Sequence, residues 1–286
     1  MEVEVTALSI ERMILEGYDR LSEDEIRTLT SRVCEKYEHS GNVLEIPDSN
    51  VFFIGDLHGE LDCAKAVQRL VSKYENHSFV FLGDYADRGP AQIETFNLVC
   101  ALAVSHPQRV HMLRGNHEST SVAKRYGFYL EVSRNYPPSV FNYYANVFAA
   151  LPVAATNGTG VFACHGGVPE GVRSMQDLAS LFRRSDEFDD DILFQMVWND
   201  PEERDFKFRP SIRGRRARIF GERAFDEFCS NTGVLLFVRA HQVFEDGFKY
   251  FFSKRLVSVF SARYGGRVTP KVLRLGKELR VEILDL

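Results

Sequence analysis

The sequence predicts a mixed α/β fold, with a central β-sandwich of mixed sheets flanked by helices. Three observations lead to this prediction. Between residues 51 and 113, short apolar runs alternate with segments of helical periodicity, which is typical of parallel strands joined by helices. Each of those apolar runs is followed by a polar segment that contains glycine. From Val234 onward, the chain consists mainly of short segments typical of strands.

The size and composition fit one catalytic domain, which we expect over residues 1–286, because 44% of the 286 residues are hydrophobic. The net charge of −5 and the isoelectric point near 5.9 give no general attraction to nucleic acid or to an anionic membrane. Five scattered cysteines predict neither a disulfide framework nor a zinc finger. We find no leader-like N-terminus and no apolar run near ~18 residues, so we expect a soluble, cytoplasmic protein without nucleic-acid or membrane partners.

The N-terminal region is predicted to begin with a helix and continue into a hairpin. Ser22 and Glu25 have the spacing of a capping box, and apolar residues follow at helical intervals up to Gly41. Two strands are then expected, Asn42–Ile46 and Val51–Ile54, separated by a turn that contains proline and asparagine. We expect these strands to pair with each other as a hairpin.

The next region has the pattern βαβαβ, which predicts a parallel sheet segment. After the strand at 51–54, helical spacing extends from Leu61 to Tyr74, and a second helix is expected from Pro90 to Val104. The strands that follow these helices are expected at residues 79–82 and 109–113.

The middle of the chain combines an aromatic, an acidic and a basic segment. Residues 119–151 are rich in aromatic residues and predict a packed helical layer, followed by a strand at 160–164. The acidic run at 186–191 is expected to be a solvated loop. The basic segment at 206–220 is interpreted as a rim for an anionic substrate. The remaining predicted strands are 234–238, 248–252, 256–260, and a hairpin formed by 271–275 and 279–284.

Polar side chains follow the predicted strands at the points where those strands end. The three glycine-containing segments are 55–59, 83–89 and 115–118, and His165 and His241 follow later strands. Open α/β sheets bind their ligands at the carboxyl ends of strands. Carboxylate, imidazole and amide groups are donors for divalent metal ions, so we predict a two-metal site that lowers the pKa of a shared water. The candidate ligands are Asp56, His58, Asp84, Asn116, His165 and His241.

Two further side chains suit phosphate-ester chemistry. His117 either supports the neighbouring Asn116 or protonates a leaving alkoxide while Asp87 orients it, and we favour the acid role. Arg88 either forms a structural ion pair or binds phosphate through its planar guanidinium, and we favour phosphate binding.

These motifs together resemble the phosphoprotein phosphatases, metal-dependent serine/threonine phosphatases of the calcineurin-like metallophosphoesterase superfamily. The resemblance covers about residues 45–265, between a helical cap at 1–44 and C-terminal strands at 266–286. The matching segments, in chain order, are Gly55–Gly59, Gly83–Gly89, Gly115–Glu118, His165–Gly166, Val238–Gln242, Glu245–Gly247 and Phe260–Ala262 with Tyr264.

The resemblance implies hydrolysis of phosphoserine and phosphothreonine monoesters in proteins, in one in-line step by hydroxide activated by two metal ions. It implies Mn²⁺ in vitro, with iron or zinc as native alternatives. It also implies that Asp84 bridges the two ions. The first ion is then held by Asp56, His58 and Asp84, and the second by Asp84, Asn116, His165 and His241.

The same resemblance assigns roles around the substrate. Arg88 and Arg213 are expected to bind the phosphate together with Asn116. His117 with Asp87 is expected to donate the proton, and Tyr264 to border the cleft. Because the chain has one additional residue between Arg213 and Phe220, Arg215 or Arg216 can substitute for Arg213. Phosphoproteins are the expected substrates, and the sequence identifies no regulatory subunit.

Two alternatives stand beside this expectation. One is a metallophosphoesterase that acts on dinucleoside polyphosphates or other small phosphoesters. Glu118 and the intact segment Arg239–Gln242 favour the protein phosphatases over it. The other is a catalytically silent docking module, which the complete set of candidate ligands disfavours.

Overall fold

A computed structural model describes residues 20–182 and 185–286. Residues 1–19 of the predicted helical cap lie outside the described residues, and the division into cap, core and C-terminal strands stays a prediction. The α-helices in the described part are α1 (Glu23–Tyr37), α2 (Leu61–Lys73), α3 (Gln92–Ser105), α4 (Thr120–Tyr126), α5 (Phe128–Asn135), α6 (Phe141–Ala150), α7 (Met175–Ala179), α8 (Asp191–Trp198) and α9 (Glu222–Thr232).

The strands of the same ranges form three sheets. They are β1 (Val43–Glu45), β2 (Val51–Ile54), β3 (Ser78–Phe81), β4 (Val110–Met112), β5 (Ala154–Thr156), β6 (Val161–Cys164), β7 (Asp200–Pro201), β8 (Phe208–Ser211), β9 (Gly214–Phe220), β10 (Leu236–Arg239), β11 (Phe248–Phe251), β12 (Leu256–Val259), β13 (Lys271–Leu275) and β14 (Val281–Asp285). The largest sheet has the order β1-β5-β6-β10-β12-β11, the second β14-β13-β2-β3-β4, and the smallest β7-β9-β8.

The two large sheets form the predicted sandwich. Val51 and Phe53 of β2 point into a shared apolar layer with residues of the opposite sheet, such as Val238 of β10. Phe52 and Ile54 alternate with them and face the layer of helices α1–α6. The outer face of the six-stranded sheet is covered by α7–α9. The architecture is therefore helix, sheet, sheet, helix, and the predicted fold class is confirmed.

The predicted parallel segment is confirmed. β2 pairs in parallel with β3, and β3 pairs in parallel with β4. The helices α2 and α3 connect these strands, as the periodicity indicates. Parallel pairing brings the carboxyl ends of all three strands to one edge of the sheet, which is the edge that carries the glycine-containing segments.

Helix α1 begins as predicted. The backbone N–H of Ser22 donates to the carboxylate of Glu25 at 2.7 Å, and the hydroxyl of Ser22 accepts from the N–H of Glu25 at 3.4 Å. This capping box satisfies two amide groups at the start of the helix, which stabilises a helix by about 1 kcal/mol. The helix ends at Tyr37, before the predicted stop at Gly41.

The hairpin predicted between β1 and β2 is wrong. β1 pairs in parallel with β5 in the six-stranded sheet, whereas β2 pairs with β3 and β13 in the other. The residues between them carry the chain from one sheet to the other. A turn sequence shows that the chain changes direction, but the partner of each strand depends on distant residues.

The basic segment folds as an antiparallel hairpin that the sequence analysis did not anticipate. β8 pairs with β9, and β7 joins them. Most of the basic side chains form ion pairs within the described residues, and the role as a rim for an anionic substrate stays a prediction. These pairs are Lys207–Glu227, Arg209–Glu202, Arg213–Asp200, Arg216–Asp191 and Arg218–Glu170.

Residues 186–190 of the acidic run form a loop, as predicted, and Asp191 begins α8. Asp189 and Asp191 are exposed, and other carboxylates of the run make specific contacts. Asp186 accepts a hydrogen bond from the hydroxyl of Thr120 at 2.5 Å, and Asp190 caps the start of α8. The helical layer at 119–151 and the C-terminal hairpin of β13 and β14 are confirmed. Within the ranges 20–182 and 185–286, no helix combines the length and apolar character needed to cross a bilayer.

Candidate active site

The candidate site lies where strands of both large sheets end. Residues after β2, β3 and β4 of one sheet face residues after β6, β10 and β12 of the other. All six predicted metal ligands meet at this point and are buried: Asp56, His58, Asp84, Asn116, His165 and His241. Five of them line one cavity of about 330 Å³, while His165 lies beneath its floor with no exposed surface.

Two clusters of donor atoms share Asp84. Nε2 of His58 lies 3.6 Å from Oδ2 of Asp84, and Nε2 of His165 lies 3.3 Å from the same oxygen. His165 Nε2 is also 3.1 Å from Nδ1 of His241 and 2.8 Å from Oδ1 of Asn116. Ligand atoms of His58, Asp84 and His117 lie within 4.8 Å of one another, and so do those of Asp84, His165 and His241, so each group could hold one ion, with Asp84 common to both. The predicted ligand Asp56 lies beside the first group, with its Oδ2 3.5 Å from Nε2 of His58.

The donors are oriented by the backbone so that one atom of each faces the centre. Nδ1 of His58 and of His165 each lies 3.0 Å from a carbonyl oxygen to which it can donate, which directs each Nε2 lone pair inward. Oδ1 of Asp56 accepts from the N–H of His241 at 2.9 Å, and Oδ1 of Asp84 accepts from the N–H of His117 at 3.0 Å. The Oδ2 atoms are left to face the centre.

An unpaired buried oxygen shows that these residues fit metal ions. Oδ2 of Asp56 is buried and has no hydrogen-bond partner among residues 20–182 and 185–286. A buried polar atom without a partner costs about 1–3 kcal/mol. The nearest ring nitrogen to Oδ2 of Asp56 is Nε2 of His58, at 3.5 Å. A divalent cation at this oxygen would satisfy the carboxylate.

The electrostatics of the site favour a concentration of positive charge. Burial lowers the pKa of His58, but the carboxylates of Asp56 and Asp84 outweigh that effect and raise it to about 9. Burial raises the pKa of Asp84, yet His165 and the other surrounding imidazoles hold it well below its usual range. Burial together with Arg213 lowers the pKa of His241 well below its usual range, which keeps its ring neutral and able to bind metal.

The backbone of the site is strained. Non-glycine residues with positive φ are uncommon. Each costs on the order of 1–3 kcal/mol and persists only where the surrounding structure enforces it. Within the site, positive φ values occur at His58 (44°), Asp84 (57°), Asp87 (65°), Arg88 (72°), His241 (70°) and Tyr264 (51°). These turns follow strand ends and set the directions of the side chains that form the site.

Two glycines let neighbouring strand ends approach each other closely. Gly83 has a φ of 108°, and a Cβ there would lie 2.3 Å from the backbone nitrogen of Gly115. A Cβ on Gly115 would lie 2.3 Å from Oδ1 of Asp84. Side chains at either position would therefore displace the shared carboxylate, as the glycine pattern predicts.

Glu118 holds the same turn, a role that the sequence analysis missed because the residue's partners are backbone amides of the turn at 84–85, more than 30 residues earlier in the chain. Its carboxylate accepts hydrogen bonds from the N–H groups of Asp84 (2.8 Å), Tyr85 (3.1 Å) and Gly115 (2.8 Å). Burial and the neighbouring carboxylate of Asp84 raise the pKa of Glu118 to about 7.

His117 and Asp87 lie side by side at the edge of the clusters. Nδ1 of His117 is 2.6 Å from Oδ2 of Asp87, and Oδ1 of Asp87 accepts from the N–H of Phe128 at 2.8 Å. Nε2 of His117 lies 3.9 Å from Asp84 and faces the cavity. The structure thus places this histidine where it can exchange a proton with a bound molecule.

The predicted substrate residues line the same cavity. Nη1 of Arg88 donates to the hydroxyl of Tyr264 at 2.9 Å, and its guanidinium lies 4.7 Å from the ring centre of Tyr126. Arg213 enters from the turn between β8 and β9, where its Nε donates to Asp200. Tyr126 and Trp198 also line the cavity and were not identified from the sequence.

The comparisons with known proteins agree with this geometry. Residues 49–244 match the family described as "Calcineurin-like phosphoesterase". A protein of Encephalitozoon cuniculi named "Probable serine/threonine-protein phosphatase" is 34% identical over 242 residues, which cover 83% of this chain and 51% of that protein. The chain thus spans about half the length of this relative.

Solved structures resemble the whole fold. A Saccharomyces cerevisiae protein serine/threonine phosphatase, described as similar to human phosphatase PP5, has a TM-score of 0.86 and 25% identity, with 100% of this chain and 96% of that chain covered. A Shewanella cold-active protein-tyrosine phosphatase has a TM-score of 0.58 and 17% identity over 85% of this chain and 84% of its own, which shows the fold alone. By the family match, this chain belongs to the calcineurin-like phosphoesterases.

Proposed function

We propose that this protein is a metal-dependent serine/threonine protein phosphatase, which hydrolyses phosphoserine and phosphothreonine monoesters in proteins. The observation that carries the proposal is the pair of donor clusters that share Asp84, one of which includes His117, whose other ring nitrogen is paired with Asp87. The names of the Encephalitozoon relative and the Saccharomyces structure support the substrate class.

The candidate ligands divide into two sets. Asp56, His58 and Asp84 would hold one divalent cation, and Asp84, Asn116, His165 and His241 would hold a second. Manganese, iron and zinc all suit carboxylate and imidazole donors. When bound, the two cations would lower the pKa of a water molecule and neutralise charge on the phosphate.

The remaining residues act on the phosphate ester itself. A phosphomonoester is a dianion. The guanidinium groups of Arg88 and Arg213 would bind its oxygens and stabilise the charge that develops on those oxygens during in-line displacement. Asn116 and Tyr264 would contact the substrate, since both line the cavity.

His117 is assigned the role of general acid. With its Nδ1–H donated to Asp87, the ring would present a proton on Nε2 to the oxygen of the departing serine or threonine. Proton transfer to that oxygen lets it leave as an alcohol. Tyr126 packs against the His117 ring with centroids 5.0 Å apart and limits its rotation.

The test is a substrate panel with and without metal. Phosphoserine, phosphothreonine and phosphotyrosine peptides and diadenosine tetraphosphate are supplied to protein loaded with Mn²⁺, and each reaction is repeated with a chelator. We expect turnover of the first two peptides, loss with the chelator, and about two manganese ions per chain by metal analysis. The Asp84→Asn variant should bind less metal. Preferred turnover of diadenosine tetraphosphate, or of phosphotyrosine, would overturn the proposal.

A further inference from the structure

A second cavity opens from the candidate active site on the side of Tyr264. It has a volume of about 750 Å³, and it shares His58, Arg88 and Tyr264 with the central cavity. A molecule bound by its phosphate at Arg88 therefore continues directly into this groove. The roles assigned above use none of the groove's other residues.

The outer wall of the groove is the loop from residue 261 to residue 267, and its start is held firmly. The carboxylate of Glu60 accepts from the N–H of Arg263 at 2.8 Å and from that of Tyr264 at 2.6 Å. Oγ of Ser261 accepts from the N–H of Gly55 at 2.8 Å and donates to the carbonyl of Lys271 at 2.7 Å. These contacts place the loop at a defined distance from Arg88.

The groove carries unpaired positive charge. Arg263 and Arg267 line it and are exposed, and neither guanidinium has an ion pair or hydrogen bond among the residues that the structure describes. This differs from the basic hairpin, where Arg213, Arg216 and Arg218 each bind a carboxylate.

The carboxylates of the groove do not cancel this charge. Glu60 is engaged by the two loop amides, and Asp62 is exposed at the start of α2. With Arg88 included, three guanidinium groups face two carboxylates in the lining. The groove therefore attracts anionic groups over cationic ones.

We propose that this groove binds the substrate chain next to the phosphorylated residue, and that Arg263 and Arg267 select substrates with an aspartate or glutamate there. The inference rests on the proposed function and deepens it by defining a class of phosphoprotein. Guanidinium groups bind carboxylates through paired hydrogen bonds, which suits an acidic side chain in an exposed groove.

The experiment uses phosphothreonine peptides that differ at one position. In one series a single aspartate is moved through the three positions on each side of the phosphothreonine, and in the matched series lysine takes its place. The readout is the ratio of kcat/KM for the aspartate peptide to that for the lysine peptide. It is measured for the wild type, for the double variant Arg263→Gln/Arg267→Gln, and for Arg223→Gln, which changes an exposed arginine that lines neither cavity.

We expect a ratio of about three to ten at one or more positions in the wild type and in Arg223→Gln, as exposed ion pairs give. The ratio should fall to about one in the double variant, and it should decrease in the wild type as salt rises. A wild-type ratio of one at every position, or a ratio that the double variant retains, would overturn the inference.

A parallel binding measurement separates this inference from the proposed function. Fluorescence anisotropy with the same labelled peptides reports on the groove even if no peptide is hydrolysed. Turnover of para-nitrophenyl phosphate reports on the central cavity alone. Binding that prefers aspartate and depends on both arginines, without peptide hydrolysis, would support the groove and reject the phosphatase assignment.

Discussion

Nδ1 of His117 lies 2.6 Å from Oδ2 of Asp87, and both side chains are buried at the edge of the candidate metal clusters. The contact determines which ring nitrogen faces the cavity. Nε2 of His117 lies 3.9 Å from Oδ2 of Asp84, little farther than Nε2 of His58 (3.6 Å) or of His165 (3.3 Å), and the pairing with Asp87 is what distinguishes His117 from these two histidines.

The first prediction concerns this pair. We expect His117→Asn to lower kcat for a phosphoserine peptide by about 100-fold or more, because the serine alkoxide needs a proton to leave. The loss for para-nitrophenyl phosphate should be far smaller, since its leaving group is a stable anion. Asp87→Asn should show the same selectivity to a lesser degree. An equal loss on both substrates would argue against proton donation.

The second prediction identifies the second phosphate-binding arginine. Arg213 lines the central cavity, Arg216 is bound to Asp191, and Arg215 is exposed outside the cavity. Arg213→Ala should lower kcat/KM for a phosphopeptide about 100-fold, as loss of a transition-state donor does. Arg215→Ala should stay within about twofold of wild type. The reverse order would assign the role to Arg215.

The third prediction concerns Glu60, whose carboxylate holds the loop that positions Tyr264 against Arg88. Glu60→Ala should raise KM for a phosphopeptide several-fold, and Glu60→Gln should raise it less. The effect should shrink when Arg88 is already alanine, because both changes act on one contact. Glu222→Ala, at the exposed start of α9, serves as the control. Full additivity with Arg88→Ala would remove the positioning role.

The fourth prediction concerns the close approach at Gly115. A Cβ there would lie 2.3 Å from Oδ1 of Asp84, so Gly115→Ala should displace that carboxylate and reduce bound manganese well below two ions per chain. Gly158→Ala is the matched control, because the nearest atom to its Cβ is a side-chain oxygen of Asp48 at 3.5 Å. Metal content is measured on dialysed protein. Unchanged stoichiometry in Gly115→Ala would contradict the arrangement.

The fifth prediction is a pH dependence of stability away from the site. Burial, with the ammonium of Lys36 nearby, lowers the pKa of His111 from 6.5 to about 4. Below pH 6.5 the unfolded chain therefore binds a proton that the folded protein does not, and the free energy of unfolding falls until about pH 4. Protonation of His111 in the unfolded chain should lower the free energy of unfolding by about 1–3 kcal/mol over this range, with partial solvent screening taken into account.

Urea unfolding at pH 7 and pH 4, in the presence of a chelator, measures this effect. His111→Gln should lose less stability between the two pH values than the wild type. His39→Gln should behave as the wild type, because the His39 side chain is 91% exposed. If His111→Gln and the wild type lose the same free energy, the assignment to His111 is wrong.

Much of the fold follows from local sequence. Neighbouring residues determine the capping box at Ser22, the helices that follow glycine-containing segments and the positions of the strands. Each was predictable for that reason. Four of the candidate metal ligands were expected to meet because parallel strands end at one edge of a sheet: Asp56, His58, Asp84 and Asn116. His165 and His241 follow strands of the other large sheet, so their position opposite these four depends on how the two sheets pack.

The residues that support those ligands were not predictable, because their roles depend on contacts between distant segments. Glu118 bonds to amides of a neighbouring turn, Glu60 holds a loop some 200 residues later in the chain, and Asp200 joins Arg213 to the buried Arg239. The hairpin expected after residue 46 failed for the same reason, since β1 found its partner in β5.

The sequence by itself thus determined the periodic elements, the donor groups and the common edge of the donors that follow β2, β3 and β4, because these depend on spacing along the chain. The tertiary structure alone decided which strands pair, which carboxylates hold the loops, and which arginines remain unpaired beside Tyr264. Those outcomes depend on packing between segments that are far apart in sequence, where a change of partner leaves the local pattern unaltered.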